Sequence, residues 1–252
     1  MARFWVGTSG WHYYHWLGNF YPEDLPSGRW LAYYARHFAT VELNNSFYRQ
    51  PRPSAWELWR RTVPEGFRFA VKANRFITHI KRLREVADSL ERFLEGARQL
   101  GDRLGPLLYQ LPPSFHRTEE NLERLARFLE LLPREQQHAV EFRHRSWFGE
   151  ETWSMLRRYG VAFCCFDSPG LKTPLVATAP HAYVRFHGGE ALYASNYSDE
   201  ALWEFSRRLL ALGQETAEVY VYFNNDACGF AVSNARTLRD YLETPAEGRP
   251  EA

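Results

Sequence analysis

Cysteine, lysine and long apolar runs are all scarce in this chain. Its three cysteines, two of them adjacent (Cys164 and Cys165), show no CxxC spacing, which excludes a disulfide framework and a zinc knuckle; they are read as small buried residues. The longest uninterrupted apolar run, residues 161–166, is far short of the roughly 20 residues that span a bilayer. The N-terminal MARFWVGTSG has no signal-peptide core. The expectation is therefore a cytoplasmic protein with no membrane partner. Only Lys72, Lys81 and Lys172 among 31 basic residues are lysines, and the net charge of +1 gives no global field that would draw the protein to nucleic acid. The glycine fingerprint of dinucleotide sites, the P-loop and HExxH are all missing, so no nucleotide cofactor motif exists and the cofactor is left unassigned.

What is present is a regular alternation. The 252 residues, 45% hydrophobic and 24% charged, suit one soluble domain over residues 1–243, with a disordered tail over 244–252. Short apolar, β-rich runs recur at 4–7, 41–43, 67–73, 107–111, 139–142, 161–166, 182–186 and 219–223, which predicts eight strands. Most of the gaps carry a helical stripe. Leu122, Leu125, Phe128, Leu129 and Leu132 share one face behind Thr118, a predicted N-cap followed by Glu119 and Glu120. Val86, Leu90, Phe93, Leu94, Ala97 and Leu100 form a second stripe, with Glu91, Glu95 and Arg98 on the wet side. Strands alternating with helices imply parallel pairing, and eight units at this length predict an α/β fold, a single TIM-like (β/α)8 barrel. Between strands 6 and 7, Pro169, Gly170, Pro174 and Pro180 leave little room for a helix, so that unit is expected to be degenerate.

In such a barrel the active site lies where the strands end, at their C-terminal edge. The apolar strands here end in polar residues: Glu42 with Asn44, Lys72, Tyr109 with Gln110, Glu141 with Arg143, Arg185 with His187, and Asn224, Asn225 and Asp226. Period-two alternation puts Glu42 with Asn44, Glu141 with Arg143, Arg185 with His187, and Tyr222 with Asn224 on common faces.

The stretches GTSGWHYYHWLGNFYPEDL, TVELNNSFYRQP, FAVKANRFITH, GPLLYQLPPSF, VEFRHRSW, YVRFHG and VYFNNDACGFAVSNA resemble the domain of unknown function 72 family, over about residues 6–242. The resemblance implies a barrel related to the TIM type with no settled activity, a fold likened to endonuclease IV and to other phosphodiesterase or sugar-isomerase barrels.

Carboxylates and cations converging on one mouth suit an enzyme of hydrolytic or other acid/base chemistry on a small, polar anionic or phosphorylated substrate. Glu141 and His187 are the candidates for proton transfer, and Lys72, Arg143 and Arg185 for holding negative charge, with Glu42 in the same group. Trp11, Asn44, His79, Tyr109, Asn224, Asn225 and Asp226 are the candidate substrate contacts; Asn225 or Asp226 could equally cap the helix beginning near Gly229. A buried salt-bridge layer without chemistry is the plain alternative. Lys72 as a Schiff-base amine is disfavoured by the proximity of Glu42, which favours the charged form. A divalent metal among Glu42, Glu141, Asp167, His187 and Asp226 is possible but not favoured, since three cations compete for the same carboxylates. A glycosidase is weaker still, because the fourth strand ends in Tyr109 and Gln110 rather than an acid. The backbone of His187–Gly188–Gly189 is expected to approach an anion. Nucleic acid is the competing ligand class, through Arg75, Lys81, Arg82 and Arg84 after the third strand and the rings of the first loop; a non-catalytic ligand-binding protein is a third reading.

Overall fold

The computed structural model describes residues 2–243; the expected tail lies outside the described residues. The strands are β1 (Arg3–Thr8), β2 (Thr40–Leu43), β3 (Arg68–Lys72), β4 (Leu104–Gln110), β5 (His138–Glu141), β6 (Ala162–Asp167), β7 (His181–Phe186) and β8 (Glu218–Phe223). They pair in parallel in the order β1-β8-β7-β6-β5-β4-β3-β2. Among the described residues the intervening α-helices are α1 (Trp30–Tyr34), α2 (Asn45–Tyr48), α3 (Pro53–Thr62), α4 (Ala87–Arg98), α5 (Glu119–Glu130), α6 (Glu150–Tyr159), α7 (Asp199–Leu212) and α8 (Phe230–Glu243). This is the (β/α)8 barrel that the alternation predicts.

Both amphipathic stripes bury as expected. Thr118 Oγ1 accepts the Asn121 N–H at 3.2 Å and caps α5, while Leu125, Phe128 and Leu129 face the sheet. On α4, Leu90, Phe93, Leu94 and Ala97 are buried. Strand β4 begins three residues earlier than the apolar run suggests, at Leu104, and takes in Gly105 and Pro106. Proline has no N–H to give the ladder, and the β3–β4 register shifts between Phe69 and Val71 at this point, a bulge that accommodates it.

The β1–β2 seam closes without a full ladder. A parallel bridge joins Ser9 to Glu42, and below it the Tyr34 hydroxyl accepts the Thr8 N–H and donates to the Thr40 carbonyl, each at 3.0 Å. A side-chain oxygen thus does the work of the missing strand contacts. Gly7 makes the approach possible, since a Cβ there would sit 2.3 Å from the Thr40 carbonyl oxygen.

The return from β6 to β7, residues 168–180, carries no helix. It is fastened to β6 by threonines: the Thr173 and Thr178 hydroxyls accept the N–H groups of Phe166 and Phe163, each at 2.7 Å. The prolines forbid a helix, and hydroxyl groups replace its hold on the strand. Of the cysteines, Cys164 and Cys165 are buried, but Cys228 is exposed, contrary to the expectation, in a turn where its φ is 59°.

Two apolar layers result. The outer layer joins strands to helices; the inner one holds Trp5, Ala70, Leu108, Ala139, Ala162, Cys164, Tyr183, Tyr220 and Tyr222. Aromatic and small residues, with Leu108 the one large aliphatic side chain among them, make up this inner layer. Above them the inward positions become charged. Among the described residues no helix is long and apolar enough to cross a membrane.

Candidate functional site

Alternation along β2, β5 and β7 carries Glu42, Glu141 and Arg185 onto the barrel axis, one step above the inner aromatics. Arg185 is 1% exposed and both carboxylates are fully buried. Its Nη1 donates to Glu141 Oε2 and its Nη2 to Glu42 Oε1, each at 2.7 Å. Ser9 Oγ and the Tyr183 hydroxyl donate to the two Glu42 oxygens at 2.8 and 2.7 Å. Arg143 pairs through Nε with the other Glu141 oxygen and lies over the Phe166 ring at 4.6 Å. Burying ions costs several kcal/mol each, on the order of what such hydrogen bonds and charge pairing return, so the near-complete pairing is what lets this layer exist. Burial alone would raise the Glu141 carboxyl, but Arg143 and Arg185 overcome it and hold the group well below the usual carboxylate range.

His187 continues the network. Arg143 Nη2 lies 2.7 Å from Nε2; arginine only donates, so Nε2 accepts and the ring proton sits on Nδ1. The Asn224 side-chain amide faces Nδ1 at 3.2 Å, where its oxygen, once the amide is turned, accepts that proton. Burial, then Arg185 and Arg143, push the imidazole well below its ordinary value. The ring is neutral, with both nitrogens engaged.

Lys72, at the end of β3, stands apart from this pattern. Its Nζ donates to Gln110 Oε1 at 2.6 Å and lies 4.3 Å from the Phe47 ring centroid. Burial lowers its pKa to about 8, aided by Arg185 and Arg143 and opposed by Glu141 and Glu42. Glu42 favours the charged form of this amine, as expected, but it is already occupied by Arg185, Ser9 and Tyr183 and does not offset the burial.

Lys72 and Arg185 open onto a cavity of about 600 Å³, also lined by Tyr13, His15, Asn44, Tyr48, Tyr193, Asn224 and Asp226. Arg185 Nε and Asn44 Oδ1 are buried without a partner, a spare donor and a spare acceptor. Asp226 forms part of the wall, accepting from Trp16 Nε1 at 2.7 Å and lying 2.9 Å from His15 Nε2. Burial raises its carboxyl to about 6, with the Trp16 and His15 contacts opposing. A smaller adjoining cavity of about 290 Å³, lined by Trp11 and His12, shares Tyr13, Asn44 and Tyr48 with the first.

The structure thus brings together Glu42, Asn44, Lys72, Glu141, Arg143, Arg185, His187, Asn224 and Asp226. It places four expected contacts elsewhere. Tyr109 points outward onto Phe93 and Phe128, with its hydroxyl 3.3 Å from His138 Nδ1; the inward residue of β4 is its neighbour Gln110. Asn225 faces α8, donating to Asn234 Oδ1 at 2.8 Å and to the Ser195 carbonyl at 3.0 Å. Trp11 lines only the smaller cavity, edge-on to Trp59. His79 stacks edge-on against Phe47 and contacts Thr78; burial, then Lys72 and Arg75, lower it to about 4.

Two further expectations are corrected. Of the amides of residues 187–189, that of His187 donates to the Asp167 carbonyl at 2.9 Å and that of Gly188 to the Tyr197 hydroxyl at 3.0 Å, so neither is free for an anion. Asp226 precedes the helix near Gly229 without capping it. Asp167 is held by Tyr197 and Lys172, and among the described residues no group of three metal-ligating side chains is gathered. Tyr13 enters the sequence reading only as one of the first-loop rings, and His15, Tyr48 and Tyr193 were not singled out; they reach the cavity from loops and from the one-turn α2, where no periodicity marks an inward face.

A family model, Protein of unknown function DUF72, matches residues 5–252. The chain belongs to the DUF72 family. A DUF72 family protein from Thermotoga maritima has the same fold, with a TM-score of 0.88 and 35% identity, covering 96% of this chain and 100% of that one. A DUF72 family protein from Enterococcus faecalis gives a TM-score of 0.84 at 23% identity over 100% of this chain and 99% of that one, a likeness of fold alone. Among curated proteins, UPF0759 protein YunF of Bacillus subtilis is 29% identical over 96% of each chain.

Proposed function

We propose that this DUF72 protein is an enzyme that performs acid/base chemistry on a small anionic substrate at the C-terminal mouth of the barrel. The observation that carries the reading is the charge balance under the cavity. Arg143 and Arg185 pair with the buried Glu42 and Glu141, and the half-buried Lys72 adds a third cation that no floor carboxylate pairs, with Asp226 the one acid on the cavity wall. A phosphate, sulfate or carboxylate group supplies the missing charge. Arg185 Nε and Lys72 hold it, and Asn44 and Asn224 orient the remainder.

Proton transfer falls to Asp226 rather than to Glu141 or His187. The Glu141 carboxyl is locked between two guanidinium groups, and the His187 ring has no free nitrogen. Those two residues position Arg143 and Arg185. Asp226 lies on the cavity wall with a pKa near 6, close enough to neutrality to both take and return a proton.

The test is thermal unfolding in inorganic phosphate, sulfate and acetate against chloride at equal ionic strength. A ligand at about 100 times its Kd adds roughly 2.7 kcal/mol, so a saturable rise in Tm is expected, and it should disappear in Lys72→Met. No rise with any of the three anions would remove this reading.

One observation favours a second ligand class. Arg75, Lys81, Arg82 and Arg84 form no ion pair among the described residues and flank the exposed Phe76 and Ile80. An oligonucleotide bound there should dissociate steeply with salt, with a slope that falls by about one for each phosphate contact removed.

A further inference from the structure

We propose that Lys72 is an amine nucleophile that condenses with the carbonyl group of a small anionic aldehyde or ketone to form a Schiff base on the cavity wall. The anionic part of this inference rests on the function proposed above; the amine part does not.

The chain's other two lysines show what is unusual. Lys172 pairs with Asp167 Oδ2 at 2.9 Å and its side chain is 63% exposed. Lys81 has only a distant contact with the Phe76 ring, at 5.9 Å. Lys72 is half-buried at the end of β3, yet no carboxylate stands within ion-pairing distance. Glu42 on β2 and Glu141 on β5 belong to the floor beneath it, but Arg185, Arg143, Ser9 and Tyr183 take up their oxygens. What remains for the amine is the neutral Gln110 carbonyl on β4 and the face of Phe47 on α2. The arginine network that uses up the acids is thus also what leaves Lys72 unpaired. With its pKa near 8, roughly a tenth of the side chain is free amine at pH 7, a few hundred times the fraction in a solvated lysine. Gln110 contributes through its neutrality: a glutamate there would pair with Nζ and keep it protonated.

The step balances without an oxidant. The Nζ lone pair attacks the carbonyl carbon, the π pair moves to oxygen, and one amine proton passes to that oxygen to give a neutral carbinolamine. The C–O bond then breaks, the oxygen leaves as water after taking up a proton, and a C=N bond remains. Arg185, which lines the same cavity as Lys72 and keeps an unpartnered donor at Nε, holds the anionic group while this happens.

The experiment traps the adduct in the full-length wild-type protein. Glyceraldehyde 3-phosphate, or neutral glyceraldehyde, is added with cyanoborohydride, and the three lysines are compared by peptide mass mapping. The expected result at pH 7 is addition at Lys72 at least tenfold faster than at Lys81 or Lys172, with a half-maximal rate near pH 8 and faster labelling by the phosphorylated probe. Gln110→Glu should slow labelling at Lys72 by at least tenfold, and inorganic phosphate should compete. Equal labelling of the three lysines, or none at Lys72, overturns the proposal even if phosphate raises Tm, in which case the anion site alone survives. Rapid labelling of Lys72 that is equal for both probes and indifferent to phosphate supports the amine and removes the anion site.

Discussion

The floor of the barrel and the cavity wall above it use ionisable groups in opposite ways. On the floor, Arg185, Arg143, Glu42 and Glu141 exchange hydrogen bonds until almost every polar atom is met, and the Glu141 carboxyl stays ionised despite complete burial. On the wall, Lys72 and Asp226 are taken out of water without an ion partner equal to the cost, and burial moves both toward neutrality, to about 8 and about 6. Paired groups stabilise the fold and resist chemistry. The incompletely paired ones cost stability and can change protonation near neutral pH, as a catalytic or binding group must.

The largest effect expected from breaking this contrast is at Arg185. Arg185→Met leaves the buried Glu42 without a cation and Glu141 with Arg143 alone and should cost about 3–5 kcal/mol, read as a fall in the urea midpoint. Glu141→Gln is expected to cost about 2–3 kcal/mol at pH 7, since Arg143 and Arg185 lose a charged acceptor. Its pH signature sharpens the assignment. The folded pKa of Glu141 lies below its ordinary 4.5, so its stabilisation is complete above that value and is lost as pH falls below it. The variant should therefore show a flatter acid limb than the wild type.

Asp226 should behave in the reverse sense. Its folded pKa is raised from 3.8 to about 6, so the folded state binds more protons in that window and stability declines as pH rises through it. Asp226→Asn keeps an acceptor for Trp16 Nε1 and should gain about 1–2 kcal/mol at pH 8, with no gain below pH 4, in paired denaturant titrations. A loss of stability at pH 8 would place Asp226 with the floor instead.

Much of this arrangement is legible in the sequence because strand alternation is strict. Glu42 with Asn44, Glu141 with Arg143, and Arg185 with His187 share faces by period two, and the barrel needs only closure to gather them. The same rule, applied from Leu108, selects Gln110 over Tyr109, and applied from Tyr222 it selects Asn224 over Asn225; at both strand ends the polar neighbour one position off faces the helices. The β1–β2 seam is not legible, because Tyr34 and Gly7 act across it through a tertiary contact with no local pattern. Nor does the sequence show that Arg185 consumes Glu42. Proximity in a list of strand ends says which charges meet, whereas pairing geometry says which one is left over, and that decides the state of Lys72.

The most direct measurement is the stability of Lys72→Met against wild type from pH 7 to pH 11. Because the folded pKa is lowered from 10.5 to about 8, the folded state gives up a proton that the unfolded chain retains between those values, and wild-type stability should rise with pH across the window. The variant is expected to be more stable by about 2–3 kcal/mol at pH 7, with the advantage gone above pH 10.5. A variant less stable than wild type at pH 7, with a difference that does not change with pH, would show that Lys72 is one more paired ion of the floor and would contradict the account.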